Sequence, residues 1–168
     1  MLSGQLTTVA AALFTGAAIY VNVAEQPARQ ALAAGPMLVQ WQASYRRAAL
    51  MQASLALIGG ALGCWAAYDL ADGRWLLAAL LLVANWPYTL LCIKPTNDAL
   101  HRLPIAEAEP DARRLVATWG RLHAGRSALG FGGGRGLSLG RALSLQRHAG
   151  NHRIGRTRPQ QGASRCST

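Results

Sequence analysis

Glu25 and Arg29 stand four residues apart, an acid and a base at the spacing that sets two side chains on one face of a helix. Trp119, His123 and Arg126 follow a similar geometry at i, i+4 and i+7 much later in the chain. Asn22 precedes the first pair, and Lys94, Thr96 and Asn97 follow Trp86-Pro87-Tyr88. A carboxylate, guanidinium groups, amides and an imidazole brought together could bind and act on a small molecule. Whether they meet depends on the elements that carry them.

Those elements are read from three apolar runs. Leu6–Ala24, Ala48–Tyr68 and Trp75–Ile93 contain no Asp, Glu, Lys or Arg over 19, 21 and 19 residues. A helix of about 20 apolar residues crosses a hydrocarbon core, where a charge at mid-depth costs several kcal/mol. The runs predict an all-α integral membrane helical bundle. The first reads as a retained anchor, because no Lys or Arg precedes it and Asn22, Glu25 and Pro27 follow. Ala12, Gly16 and Tyr20 in the first run, and Gly59 and Gly63 in the second, have the spacing of small-residue packing stripes.

Six residues, 69–74, link the second and third runs, so these form an antiparallel hairpin. In the longer first loop Pro36 starts a helix that lies at the interface, with Trp41 and Tyr45 as belt aromatics. The first loop and the segment after the third span hold seven basic residues (Arg29, Arg46, Arg47, Lys94, Arg102, Arg113, Arg114), against Arg74 alone in the hairpin turn. The positive-inside rule then puts the N-terminus outside and the polar groups at the cytoplasmic face. A bacterial inner membrane is the expected location.

Blander readings stand beside the functional one. Arg46, Arg47 and Lys94 are ordinary snorkelling anchors. Pro87 kinks the third helix, and Pro27 distorts the turn between Glu25 and Arg29. His123 is a packing histidine or a functional one. Cys64 and Cys92 read as small apolar packers, with no disulfide between them. No metal site is expected: His148 and His152 sit at i,i+4 in a cationic segment without acid or thiol. The glycine-dense Gly130–Gly136 fits no phosphate cradle.

Four strings carry a resemblance. They are Tyr20-Val21-Asn22-Val23-Ala24-Glu25-Gln26-Pro27-Ala28-Arg29, Trp41-Gln42-Ala43-Ser44-Tyr45-Arg46-Arg47-Ala48, Trp86-Pro87-Tyr88-Thr89-Leu90-Leu91 with Pro95-Thr96-Asn97, and Trp119-Gly120-Arg121-Leu122-His123-Ala124-Gly125-Arg126. Over about residues 1–130 the chain resembles the DUF1772 family of small four-helix membrane proteins, which includes anthrone oxygenase-like proteins. The resemblance implies a cofactor-independent oxygenase acting on an anthrone-like lipophilic aromatic. Such a reaction needs a base, a cation for the enolate oxygen and a dry pocket. His123 or Glu25 would be the base, Arg29 or Arg126 the cation, and Asn22 or Asn97 would orient a ligand that Trp41 and Trp119 help to enclose. The alternative is a non-enzymatic scaffold or small-molecule binding protein.

The domain so defined has spans at about 6–24, 48–68 and 75–93 and a helix at about 111–129. After residue 130 the family continues into a fourth span, whereas this chain turns to Gly, Arg, Ser and Gln. Residues 119–168 hold nine Arg and no acid, which accounts for most of the net charge of +10. Such a segment is expected to be disordered. A shifted reading frame would produce this composition, leaving a truncated or altered fourth helix. The competing reading is a natural basic tail that binds anionic lipid or RNA, although nucleic acid is the least expected partner. The lipid bilayer and a lipophilic small molecule are the expected partners.

Overall fold

A computed structural model describes residues 2–105 and 109–131. Three helices, Leu2–Gln30, Ala34–Leu70 and Gly73–Arg102, are long and apolar enough to cross a membrane. A shorter fourth helix, residues 111–131, packs against the first and third. The protein is an α-helical membrane bundle. Residues 132–168, on which the reading of a disordered or frame-shifted tail rests, lie outside the described residues, as do His148 and His152.

The first helix turns most of its large apolar side chains outward and small or polar ones inward. On the first helix Leu6, Val9 and Leu13 are exposed, while Ser3, Thr7, Ala11, Phe14 and Ala18 are buried. Lipid solvates leucine as well as a protein core does, so close packing of small residues selects the inner face. The predicted Ala12, Gly16 and Tyr20 stripe faces outward instead. Its rival carries the hydroxyls, which need partners away from lipid. Ser3 Oγ donates to Asp69 at 2.6 Å, and Thr7 Oγ1 donates to the Ser3 carbonyl at 2.8 Å.

Gly59 and Gly63 do pack. A Cβ on Gly63 would stand 2.8 Å from the Ala79 Cβ, and one on Gly59 would stand 3.0 Å from Leu82. This closes the expected antiparallel hairpin. Its turn places Ala71 at φ 49°, and the Asp72 carboxylate accepts the Arg74 N–H at 3.0 Å. Cys64 and Cys92 are free thiols on the outer surface. They are not packers, because the glycine face of the second helix takes the contact and Cys64 falls beside it.

Two wide π turns interrupt the spans, Val21–Glu25 in the first and Thr89–Ile93 in the third. Each is followed by one residue and then a proline, Pro27 or Pro95. Proline has no N–H for the carbonyl four residues back, and its ring collides with that carbonyl, so an added residue relieves the turn. The helix begun near Pro36 runs unbroken into the second span as Ala34–Leu70. Trp41 therefore lies in the bundle and not in an interfacial belt. It is fully buried with Met37, Leu38, Ile93, Val116 and Trp119. A second apolar cluster, with Phe14, Ala56, Ala66, Trp75 and Leu82, fills the other end. Buried polar side chains, among them Arg29, Gln52, Asn85, His123 and Arg126, accompany these clusters.

Candidate functional site

Arg29 is the most heavily partnered of the buried polar side chains. It is 2% exposed, pairs with Glu25 and Gln40, and donates to Gln26 Oε1 at 2.9 Å and Ser44 Oγ at 3.1 Å. Its guanidinium also lies 5.4 Å from the Trp119 ring centroid. The π turn ending at Glu25 leaves the i,i+4 ion pair intact. Gln26 in turn donates to the Val116 carbonyl at 2.8 Å, which ties the network to the fourth helix. With its donors spent on protein, Arg29 is a fixed charge.

Arg126 differs. It is 8% exposed, no carboxylate pairs with it among the described residues, and its buried Nε has no acceptor there. Its guanidinium faces the Phe14 ring, 5.5 Å from the centroid. A buried cation without a partner is costly, and an incoming anion would relieve that cost.

His123 lies one turn earlier on the same helix, stacked on Trp119 with ring centroids 4.9 Å apart. The Asn22 amide donates to Ser127 Oγ at 2.6 Å, which turns its carbonyl oxygen to His123 Nδ1 at 3.1 Å. Nδ1 then carries the proton and Nε2 keeps its lone pair. On this helix, outside the three spans, the imidazole is pushed down to about 4, first by burial and then by the fields of Arg126 and Arg29. It is neutral at pH 7.

These groups border two adjacent hollows with lining residues in common. The larger, about 180 Å³, is lined by Tyr45, Asn85, Trp119, His123 and Arg126 together with apolar side chains. Trp86 and Leu90 line it too and are exposed on the outer surface, so its mouth opens sideways toward lipid. The smaller, about 20 Å³, shares Tyr45, Trp119, His123 and Arg126 with it and adds Glu25, Arg29, Trp41 and Gln52. Among the described residues no group of three or more His, Cys, Asp or Glu side chains is placed to hold a metal ion.

The structure thus brings Glu25, Arg29, Trp41, Trp119, His123 and Arg126 to the hollows. Asn22 and Asn97 line neither. Asn22 holds His123, and Asn97 donates to Tyr45 Oη at 2.6 Å. Sequence reasoning missed Tyr45 as a lining residue, and also Gln52 and Asn85. Gln52 and Asn85 are 1% exposed, and each is an amide inside an apolar run. An intramembrane amide is itself a signal, although a search for charges alone passes over it.

The family described as anthrone oxygenase matches residues 41–135. That range holds Tyr45, Gln52, Asn85, Trp119, His123 and Arg126, and excludes Asn22, Glu25 and Arg29. The chain is 40% identical over 55 residues to anthrone oxygenase tpcL of Aspergillus fumigatus, covering 31% of this chain and 34% of that one. It thus spans about a third of the length of the curated relative it matches. No solved structure matches. With more than half of its length matched, including most of the residues around both hollows, the chain belongs to the anthrone oxygenase family.

Proposed function

We propose that this protein binds an enolisable, lipophilic aromatic of the anthrone type and catalyses its oxygenation by dioxygen, with the N-terminus outside and the polar end of the bundle toward the cytoplasm. The observation that carries the reading is Arg126, a buried guanidinium with no carboxylate partner among the described residues, at the wall of a mainly apolar hollow. An aromatic body fits that hollow, and its enolate oxygen is the acceptor that Arg126 lacks.

His123 is the base in this scheme. Nε2 takes a proton from the ring carbon, and negative charge moves to the oxygen beside Arg126. That charge also offsets the cationic field that opposes protonation of His123, so enolate and imidazolium stabilise each other. Glu25 is the weaker candidate, since its carboxylate is engaged by Arg29 and Gln40. A pure scaffold is not favoured, because it gains nothing from an uncompensated buried charge.

The test is oxygen uptake and quinone formation with anthrone by the full chain in liposomes, set against the uncatalysed rate. Arg126→Gln is expected to lower kcat/KM by about 100-fold, the loss that goes with removing a charge-assisted contact in a dry site. His123→Gln is expected to lower kcat by about 100-fold or more. Uptake at the uncatalysed rate, with no binding of anthrone, overturns the proposal.

A further inference from the structure

The smaller hollow has an unusual wall. Trp41 Nε1, Gln52 Nε2, Trp119 Nε1 and Arg126 Nε are all buried and without an acceptor among the described residues. All four residues border this one space of about 20 Å³, with Arg29 beside them. A space slightly above 10–15 Å³ takes a single water-sized occupant. Four orphaned donors favour an occupant that accepts hydrogen bonds and donates none; the Glu25 carboxylate also borders the space, but Arg29 and Gln40 engage it. Water would bring two protons of its own into that wall. An aromatic ring is too large to enter.

From this wall we infer that the smaller hollow is the dioxygen subsite, built to hold the reduced, anionic form of O2 while the aromatic occupies the larger hollow. The inference rests on the oxygenase reading above. Neutral O2 is apolar and reaches the smaller hollow by way of the larger, past the side chains of Tyr45, Ala49, Trp119, His123 and Arg126 that line both. The enolate, formed when His123 takes one proton, passes one electron to O2. Superoxide then lies among N–H donors and two guanidiniums, where its charge is stabilised as it forms. Combination of the carbon radical with superoxide makes the C–O bond, and the distal oxygen takes the proton from His123. Loss of the second hydrogen of that carbon as a proton, with cleavage of the O–O bond, leaves a carbonyl. The departing hydroxide takes up a proton as water. One CH2 and one O2 become one C=O and one H2O.

Gln52 is the residue to probe, because it borders only the smaller hollow. In liposomes with anthrone and an oxygen electrode, Gln52→Leu is expected to lower kcat/KM for O2 about tenfold, and Gln52→Glu further, with the KM for anthrone within about twofold. Azide, a small anion that accepts and does not donate, is expected to inhibit the unaltered protein competitively against O2. Unchanged O2 dependence in a folded Gln52→Leu protein overturns the inference, and so does azide competing with anthrone instead of O2. The azide result decides the matter if neither variant folds. Anthrone binding without any enzymic oxygen uptake removes the oxygenase reading, and the subsite falls with it.

Discussion

At Arg126 stability and function pull in opposite directions. Replacing a buried, uncompensated cation by an apolar side chain of similar length removes a desolvation cost. Arg126→Met is therefore expected to stabilise the protein by about 1–3 kcal/mol in thermal unfolding while abolishing turnover. Glu25→Ala is expected to do the reverse. It strands the Arg29 guanidinium and destabilises the protein by about 3–5 kcal/mol. If both changes merely destabilise, Arg126 is structural. His123 gives a pH signature. Its folded value near 4 lies below its ordinary value near 6.5, so the unfolded chain binds the extra proton first. Stability is then expected to fall as pH drops through the window from about 6.5 to 4, and His123→Gln should flatten that slope in unfolding measured against pH.

At the scale of elements, the geometry of the site depends on two irregularities. The π turns before Pro27 and Pro95 shift the downstream residues relative to a regular helix, and Glu25, Arg29 and Asn97 all lie at or beyond them. Pro95→Ala restores the missing N–H and allows the third helix to close up. The expected result is a loss of about tenfold in kcat/KM with the helical content unchanged by circular dichroism. Gly63→Val, by contrast, is expected to act on stability, costing about 1–3 kcal/mol through the Ala79 contact. Much of this layer is legible in the sequence. Charge-free runs mark the three spans, short linkage marks the hairpin, and i,i+4 spacing marks the Glu25–Arg29 pair. The wide turns are only half visible. Pro27 and Pro87 announce distortion, but a turn that absorbs one extra residue leaves no spacing to read, and Pro95 reads only as part of a family string. The inner face of the first helix is misread when small size alone is weighed, without the need of Ser3 and Thr7 for partners. Trp41 is misplaced when the helix leading into the second span is taken to lie at the interface, whereas it is fully buried.

For the whole molecule, two apolar clusters and a set of buried polar side chains are held by helices that also expose many large apolar side chains. The proposed orientation, taken from the positive-inside asymmetry, is open to a direct test. With the native cysteines replaced by serine, Gly73→Cys is expected to react with an impermeant maleimide from the outside of intact cells, because two crossings separate the hairpin turn from an outer N-terminus and both then share the outer face. Labelling only after lysis would reverse the orientation.

Because Trp86 and Leu90 border the larger hollow and are also exposed on the lipid-facing surface, the proposed ligand would have the membrane phase itself as its reservoir. Occupancy then follows the mole fraction of aromatic among the lipids and not its bulk molarity. At fixed total anthrone, added vesicles should slow turnover by surface dilution, and more lipophilic congeners should have lower apparent KM in proportion to their partition coefficients.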